Sequence, residues 1–245
     1  MIRIWSMTDT GLVRKENQDA YGLRETTASG HTVCVVCDGM GGLAGGRLAS
    51  HIAVDTYLAE LEKILAPGMN PEQIREAASY AVSLANRAIR EAAAQSTEYA
   101  NMGTTLVSAI VSGEEAVLVN IGDSRGYHLS AEGILHVTRD HSWVESMVEY
   151  GKLTEEEARR HPNRNLITRA LGPDSTAESD GYLWTLAAGE CLLLCTDGLV
   201  NTVTDEELLH EIYHGDADSC MDRLLAISKR RGARDNVTAV LVKMA

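Results

Sequence analysis

Phenylalanine is absent from this sequence, and aromatic residues of all kinds occupy only 4% of its 245 positions. Packing must therefore rest on aliphatic side chains; with 44% hydrophobic residues the chain can still bury a substantial core, read here as one domain spanning 1–245. The missing phenylalanine itself points to no function. Long apolar runs are lacking too. None approaches the roughly 18 residues a membrane span requires, and the opening segment MIRIWSMTDTG has no basic stretch followed by an apolar one, so a cytoplasmic protein without membrane insertion is expected. Positive charge is scarce: 22 Lys and Arg face 35 Asp and Glu, and the net charge of −13 argues against nucleic acid as a partner. Cysteine is limited to five irregularly spaced residues, too few for a disulfide framework and in keeping with a reducing compartment. Cys34 with Cys37, and Cys191 with Cys195, suggest zinc at first sight, but both pairs flank apolar runs with strand character. Side chains alternate along a strand, so Cys34 and Cys37 would face opposite ways and could not share a metal. Small buried hydrophobes is the better reading.

What is present is a block pattern. Strand character marks His31 to Cys37, Thr104 to Val111, Ala116 to Ile121, Gly126 to Leu129, Ile134 to Thr138, Cys191 to Cys195 and Val237 to Val242. The short turn segments between several of them, such as SGEE, GDSRG and SAEG, suit antiparallel hairpins and predict a meander. Helical character marks Leu48 to Leu65 and Pro71 to Ala94, the second with an apolar stripe at helical spacing, and both should pack on a sheet. A capping box, Thr204 with Glu207, and the segment Cys220 to Lys229 predict further helices near the end. Strands and helices in blocks indicate an α+β fold. The polar segment 140–172 interrupts the strands and predicts a partly helical, flap-like insertion over a site.

Four aspartates share a position relative to these strands: Asp38 follows HTVCVVC, Asp123 follows AVLVNIG, Asp197 follows CLLLCT and Asp235 precedes NVTAVLV. In an antiparallel sheet such ends can converge on one edge, and Asp19, ahead of a short strand candidate AYGL, can join them. Five gathered carboxylates repel strongly unless cations neutralise them. Two or three divalent ions would, and hard oxygen ligands favour Mn2+ or Mg2+. Glycine directly after Asp38 and Asp197 suggests tight turns, with the Gly39 carbonyl near a metal.

The ordered set Arg14-Lys-Glu-Asn-Gln-Asp19, Asp38-Gly-Met-Gly-Gly42, Gly103-Thr-Thr, Gly122-Asp-Ser-Arg-Gly126, Thr196-Asp-Gly198 and Asp235-Asn-Val-Thr238 resembles the metal-dependent protein phosphatases of the PPM, type 2C, family, above all their compact bacterial members. The resemblance implies an α-β-β-α sandwich of two antiparallel sheets flanked by helices. It also implies hydrolysis of phosphoserine and phosphothreonine in proteins by direct attack of a metal-bridging hydroxide, with no phosphoenzyme. Asp38 would bridge two metals, with the Gly39 carbonyl on one and Asp197 and Asp235 completing the other. Asp123 with Asp197 would hold a third, weaker ion, Asp19 would orient water, and Arg14 would grip the substrate phosphate. A membrane-anchored serine/threonine kinase and its targets are the implied partners, and a monomer is the default.

Two positions depart from the pattern. Met40 stands where animal members carry a histidine proposed to protonate the leaving oxygen, so that proton must come from elsewhere, expectedly from water at the metals. Gln18 stands where many relatives carry glutamate, which removes a charge from the second metal's surroundings. No cysteine begins a CxxxxxR loop, so thiolate chemistry has little support. His31, His51, His141 and His161 read as surface or packing residues, and Arg159, Arg160, Arg164 and Arg169 as a solvated face of the insertion. Two rival readings are a catalytically silent phosphopeptide-binding module on the same fold and a phosphatase of small metabolites.

Overall fold

Aliphatic strands that are apolar on both faces need cover on both sides, and in the computed structural model, which describes residues 1–26 and 29–245, they receive it from a second sheet on one side and helices on the other. The first half of the chain contributes β1 (Ile2–Asp9), β2 (Asp19–Thr26), β3 (His31–Met40), α1 (Gly42–Ile64), α2 (Pro71–Ala93), β4 (Gly103–Thr104), β5 (Leu106–Ser112) and β6 (Glu115–Ile121). The second half contributes β7 (Arg125–Ser130), β8 (Gly133–His136), α3 (Trp143–Glu149), α4 (Glu155–Arg160), β9 (Asp180–Thr185), β10 (Cys191–Cys195), α5 (Asp197–Val200), α6 (Asp205–Leu209), α7 (Cys220–Arg230) and β11 (Val237–Met244).

One antiparallel sheet has the order β1-β11-β10-β7-β8; the other has the order β2-β3-β5-β6-β9, with β4 on the end of β3. The second contains only β3-β5-β6 of the predicted meander; β7 and β8, expected to follow β6 through the GDSRG turn, pair instead in the first sheet, which joins strands from both ends of the chain, pairing Ile2 with Met244 and Asp9 with Val237. Between the sheets lies an aliphatic layer that includes Val36, Val107, Leu118, Leu192, Leu194 and Val240. Outside it, α1 and α2 cover one sheet through Tyr57, Leu61, Ala78, Ala81, Val82 and Ile89, and Leu208, Leu224 and Ile227 cover the other from α6 and α7. This is the α-β-β-α sandwich. Cys34 lies in the layer between the sheets and Cys37 under the helices, on opposite faces as strand alternation requires.

The differences from expectation have physical causes. β1 and β9 are edge strands whose half-exposed sequences, IRIWSMTD and DGYLWT, lack a continuous apolar run. β3 runs on through Asp38 to Met40 because Gly39 and Met40 find partners in Thr104 and Gly103. α1 begins at Gly42, six residues before the predicted Leu48, and passes close over β3: a β-carbon on Gly46 would lie 2.8 Å from the Gly39 carbonyl. α2 starts at a capping box of Asn70 and Gln73 with Pro71 in its first turn. Segment 140–172 contains α3 and α4, and its two ends are tied down by bridges from Ser142 to Ile167 and from Thr104 to Leu171.

Candidate metal centre

Register places the first two carboxylates side by side, Asp19 at the start of β2 opposite Asp38 near the end of β3. Asp197 opens α5 directly after β10, Asp235 stands just before β11, and Asp123 lies in the turn from β6 to β7. Gly39 and Gly198 are required by close approach, which corrects the tight-turn expectation: a β-carbon would lie 2.1 Å from the Gly46 carbonyl oxygen in one case and 1.9 Å from that of Asn236 in the other.

The five carboxylates feel one another. Burial, and after it the charges of Asp19, Asp197, Asp123 and Asp235, holds the Asp38 carboxyl well above the ordinary range. Burial pushes Asp19 up to about 7 against hydrogen bonds from Thr238 and Thr196, with Asp197 and Asp235 adding to the rise. Asp123 is likewise pushed up to about 7 by burial, then by Asp197 and Asp140. Asp197 is raised by burial and by Asp235, although bonds to Asn201 and Asp38 oppose this. Such a set is costly as anions in a partly dry site, and it consists wholly of hard oxygen donors, which fits divalent cations of the magnesium or manganese type. Asp19 Oδ1 agrees: it is buried without a hydrogen-bond partner, while its Oδ2 accepts from Thr196 Oγ1 at 2.9 Å. Among the described residues no three His, Cys, Asp or Glu side chains surround a common point.

Arg14 Nη2 donates to Asp235 Oδ2 at 2.7 Å, with the arginine side chain 54% exposed. The loop that carries it is anchored. Leu12 N donates to the Ala233 carbonyl at 2.8 Å, Gly11 N (φ +77°) to Asp9 Oδ1 at 2.9 Å, and Asp9 in turn accepts from Lys229 Nζ at 2.6 Å. Asn236 fastens the same loop to the entry of β11, accepting from Gln18 N at 2.9 Å and donating to the carbonyls of Thr10 and Glu16 at 2.9 and 3.0 Å. The Gln18 side chain donates from Nε2 to the Gly42 carbonyl at 2.6 Å. Met40 pairs with Gly103 and brings no proton donor to the site.

This loop, these strand ends and the ordered motifs match a family model described as Protein phosphatase 2C over residues 13–242. The chain belongs to that family. A curated relative, the serine/threonine phosphatase stp of Listeria innocua, is 34% identical over 238 residues, 96% of this chain and 93% of its own. The solved serine/threonine phosphatase Stp1 of Staphylococcus aureus superposes with a TM-score of 0.90 at 32% identity, covering 100% of this chain and 96% of that one. A catalytic domain of the phosphatase PstP, solved with two manganese ions, gives a TM-score of 0.84 at 32% identity over 99% of this chain and 97% of that one. As a member of the 2C family the chain is metal-dependent, in keeping with its all-oxygen donor set.

The residues behind the carboxylates were not assigned from sequence. Thr105 Oγ1 accepts from Asp38 N at 2.9 Å and shares a 2.6 Å bond with Ser124 Oγ, so the turn carrying Asp123 is fastened to the strand carrying Asp38. The quoted motifs contained Thr105, Ser124, Thr196 and Asn236, and position within a motif was their only signal. His141, set aside as a surface or packing residue, is buried against Gly122.

Proposed function

We infer that this chain is a protein serine/threonine phosphatase that hydrolyses phosphoserine and phosphothreonine in phosphoprotein substrates, and that Asp38, the Gly39 carbonyl, Asp197 and Asp235 hold two Mn2+ or Mg2+ ions, with Asp123 and Asp197 holding a third. Four carboxylates raised by burial and by their neighbours' charges, Asp19, Asp38, Asp123 and Asp197, together with Asp235 beside the exposed Arg14 guanidinium, carry this reading. When bound, the cations supply an activated water near neutral pH and Lewis-acid polarisation of the phosphoryl oxygens. Arg14 is the phosphate grip: its exposed fork exchanges Asp235 for two phosphoryl oxygens and orients the ester. Asp19, with Oδ2 held by Thr196, keeps Oδ1 as an acceptor that orients water and receives its proton. Thr105 and Asn236 keep the strand ends from drifting.

The finer assignments rest on the family and on chemistry. The chain acts as one catalytic domain with segment 140–172 as its flap, as a monomer, and a membrane-anchored kinase is the enzyme it opposes. The five cysteines are unpaired and buried, which suits a reducing, cytoplasmic setting; among the described residues no helix is long and apolar enough to cross a membrane.

Phosphate release from a phosphothreonine peptide, measured with manganese, with magnesium and with chelator, tests the reading against Asp38→Asn. Manganese-dependent release in the parent, abolished by the substitution in folded protein, is expected. Release that survives the chelator or the substitution would remove Asp38 from the metal set.

A further inference from the structure

A histidine ties the base of segment 140–172 to the turn that carries Asp123. His141 is only 7% exposed; its backbone N donates to the Gly122 carbonyl at 2.9 Å, and Gly122 N returns a bond to the ring Nδ1 at 3.2 Å. Because Nδ1 accepts, the ring proton resides on Nε2, which faces Asp180 Oδ2 at 3.1 Å. The other oxygen of Asp180 accepts from Arg169 Nη1 at 3.1 Å, and Thr168 N donates to the His141 carbonyl at 2.8 Å. His141 thus joins the turn before Asp123 and the start of β9 through its ring, and the far end of the segment at Thr168 through its backbone carbonyl.

Gly122 cannot easily relax in response to a change there. Its φ is +105°, a conformation suited to glycine, and it sits so close to Thr105 that a β-carbon would lie 2.5 Å from Cγ2. Asp123 is the next residue, and Ser124 after it is bonded to Thr105 Oγ1, the same hydroxyl that accepts from Asp38 N. A displacement of Gly122 is therefore passed to the Asp123 carboxylate rather than absorbed.

We propose that His141 is a positioning residue: backed by Asp180 and Arg169, it fixes the Gly122 backbone and so aims Asp123 at a divalent cation, making the base of segment 140–172 the element that sets how tightly that cation is held. The proposal rests on the reading of Asp123 as a cation ligand. Outer partners that orient a metal-binding carboxylate commonly change affinity by 10- to 100-fold when removed.

Calorimetric manganese titrations of the full chain, with hydrogen exchange of the Gly122 and Asp123 amides in chelator, compare the parent with Asp123→Asn, His141→Ala and His141→Asn. Asp123→Asn should delete the weakest manganese step. His141→Ala should weaken that same step about 10- to 100-fold, leave the tighter steps in place and speed exchange at Gly122. His141→Asn, whose Oδ1 can still accept from Gly122 N, should recover most of both effects, a rescue that general packing damage would not show. If His141→Ala does not fold, His141→Gln replaces it, since its longer amide misses the Nδ1 position and should weaken the step likewise. A weakest step that Asp123→Asn deletes but the histidine variants leave untouched overturns the proposal alone, as does equal impairment by Ala and Asn. A titration unchanged by Asp123→Asn overturns the ligand assignment and the proposal together.

Discussion

Two arginine–aspartate pairs stand near the same carboxylates, and they differ in every respect that governs strength. Arg125 holds Asp140 in a fork, with Nε 3.0 Å from each carboxylate oxygen and Nη2 2.6 Å from Oδ2, and the Asp140 side chain is only 11% exposed. Arg14 meets Asp235 through a single nitrogen while more than half of its side chain faces solvent. A bidentate, shielded pair is a structural joint, whereas a single exposed contact exchanges readily with water or another anion. The joint ties the start of segment 140–172 to β7; the loose pair leaves a guanidinium free to change partners, as the proposed phosphate grip requires. Residue types are identical in the two places, and burial with the number of bonds separates their uses.

The comparison breaks if the two arginines give the same phenotype. Arg125→Ala should lower unfolding stability by about 3–5 kcal/mol, because Asp140 would be left shielded and unpaired; a urea denaturation curve matching the parent would deny the joint. Arg14→Ala should leave that curve within about 1 kcal/mol and cut kcat/KM on a phosphothreonine peptide by about 100- to 1000-fold, and an unchanged kcat/KM would return Arg14 to the surface. The smallest expected effect concerns pH. His136 stacks on Tyr127 beside the Arg125–Asp140 pair, and burial pushes its pKa down to about 4, with Arg125 acting in the same direction and Asp140 against. The unfolded chain takes up the proton near pH 6.5 and the folded chain near 4. The contribution of this histidine is therefore full above about pH 6.5 and declines as pH falls through that window, by about 3 kcal/mol at its lower end. Between pH 7 and 4.5 in urea unfolding the parent should lose about 2 to 3 kcal/mol relative to His136→Gln, and equal changes in the two chains would assign the proton elsewhere.

The carboxylates were legible in sequence because each stands at a strand end, and strand ends show as apolar runs that stop at glycine or aspartate. The layer order was available through the family resemblance, and α2 through its helical stripe and Pro71. Less visible was whatever depends on partners distant in the chain. Asp38 was expected after its strand and lies within it, because β4, about 65 residues later, continues the pairing. β1 and β9 escaped notice as edge strands that need only one apolar face. His141 had no spacing to mark it: its partners Gly122 and Asp180 lie 19 and 39 residues away on either side.

The pairing of β1 with β11 carries a consequence for the order of events during synthesis. Asp19 and Asp38 belong to a sheet that can form from the first half of the chain, but Asp197 and Asp235 wait for β10 and β11, and β1 has no neighbour until β11 arrives. On the ribosome, then, an early half-sandwich would precede the complete set of carboxylates, and on the proposed ligand set dephosphorylation would begin only after β11 had left the exit tunnel. The late closure also makes the topology rich in non-local pairings, the kind that fold slowly.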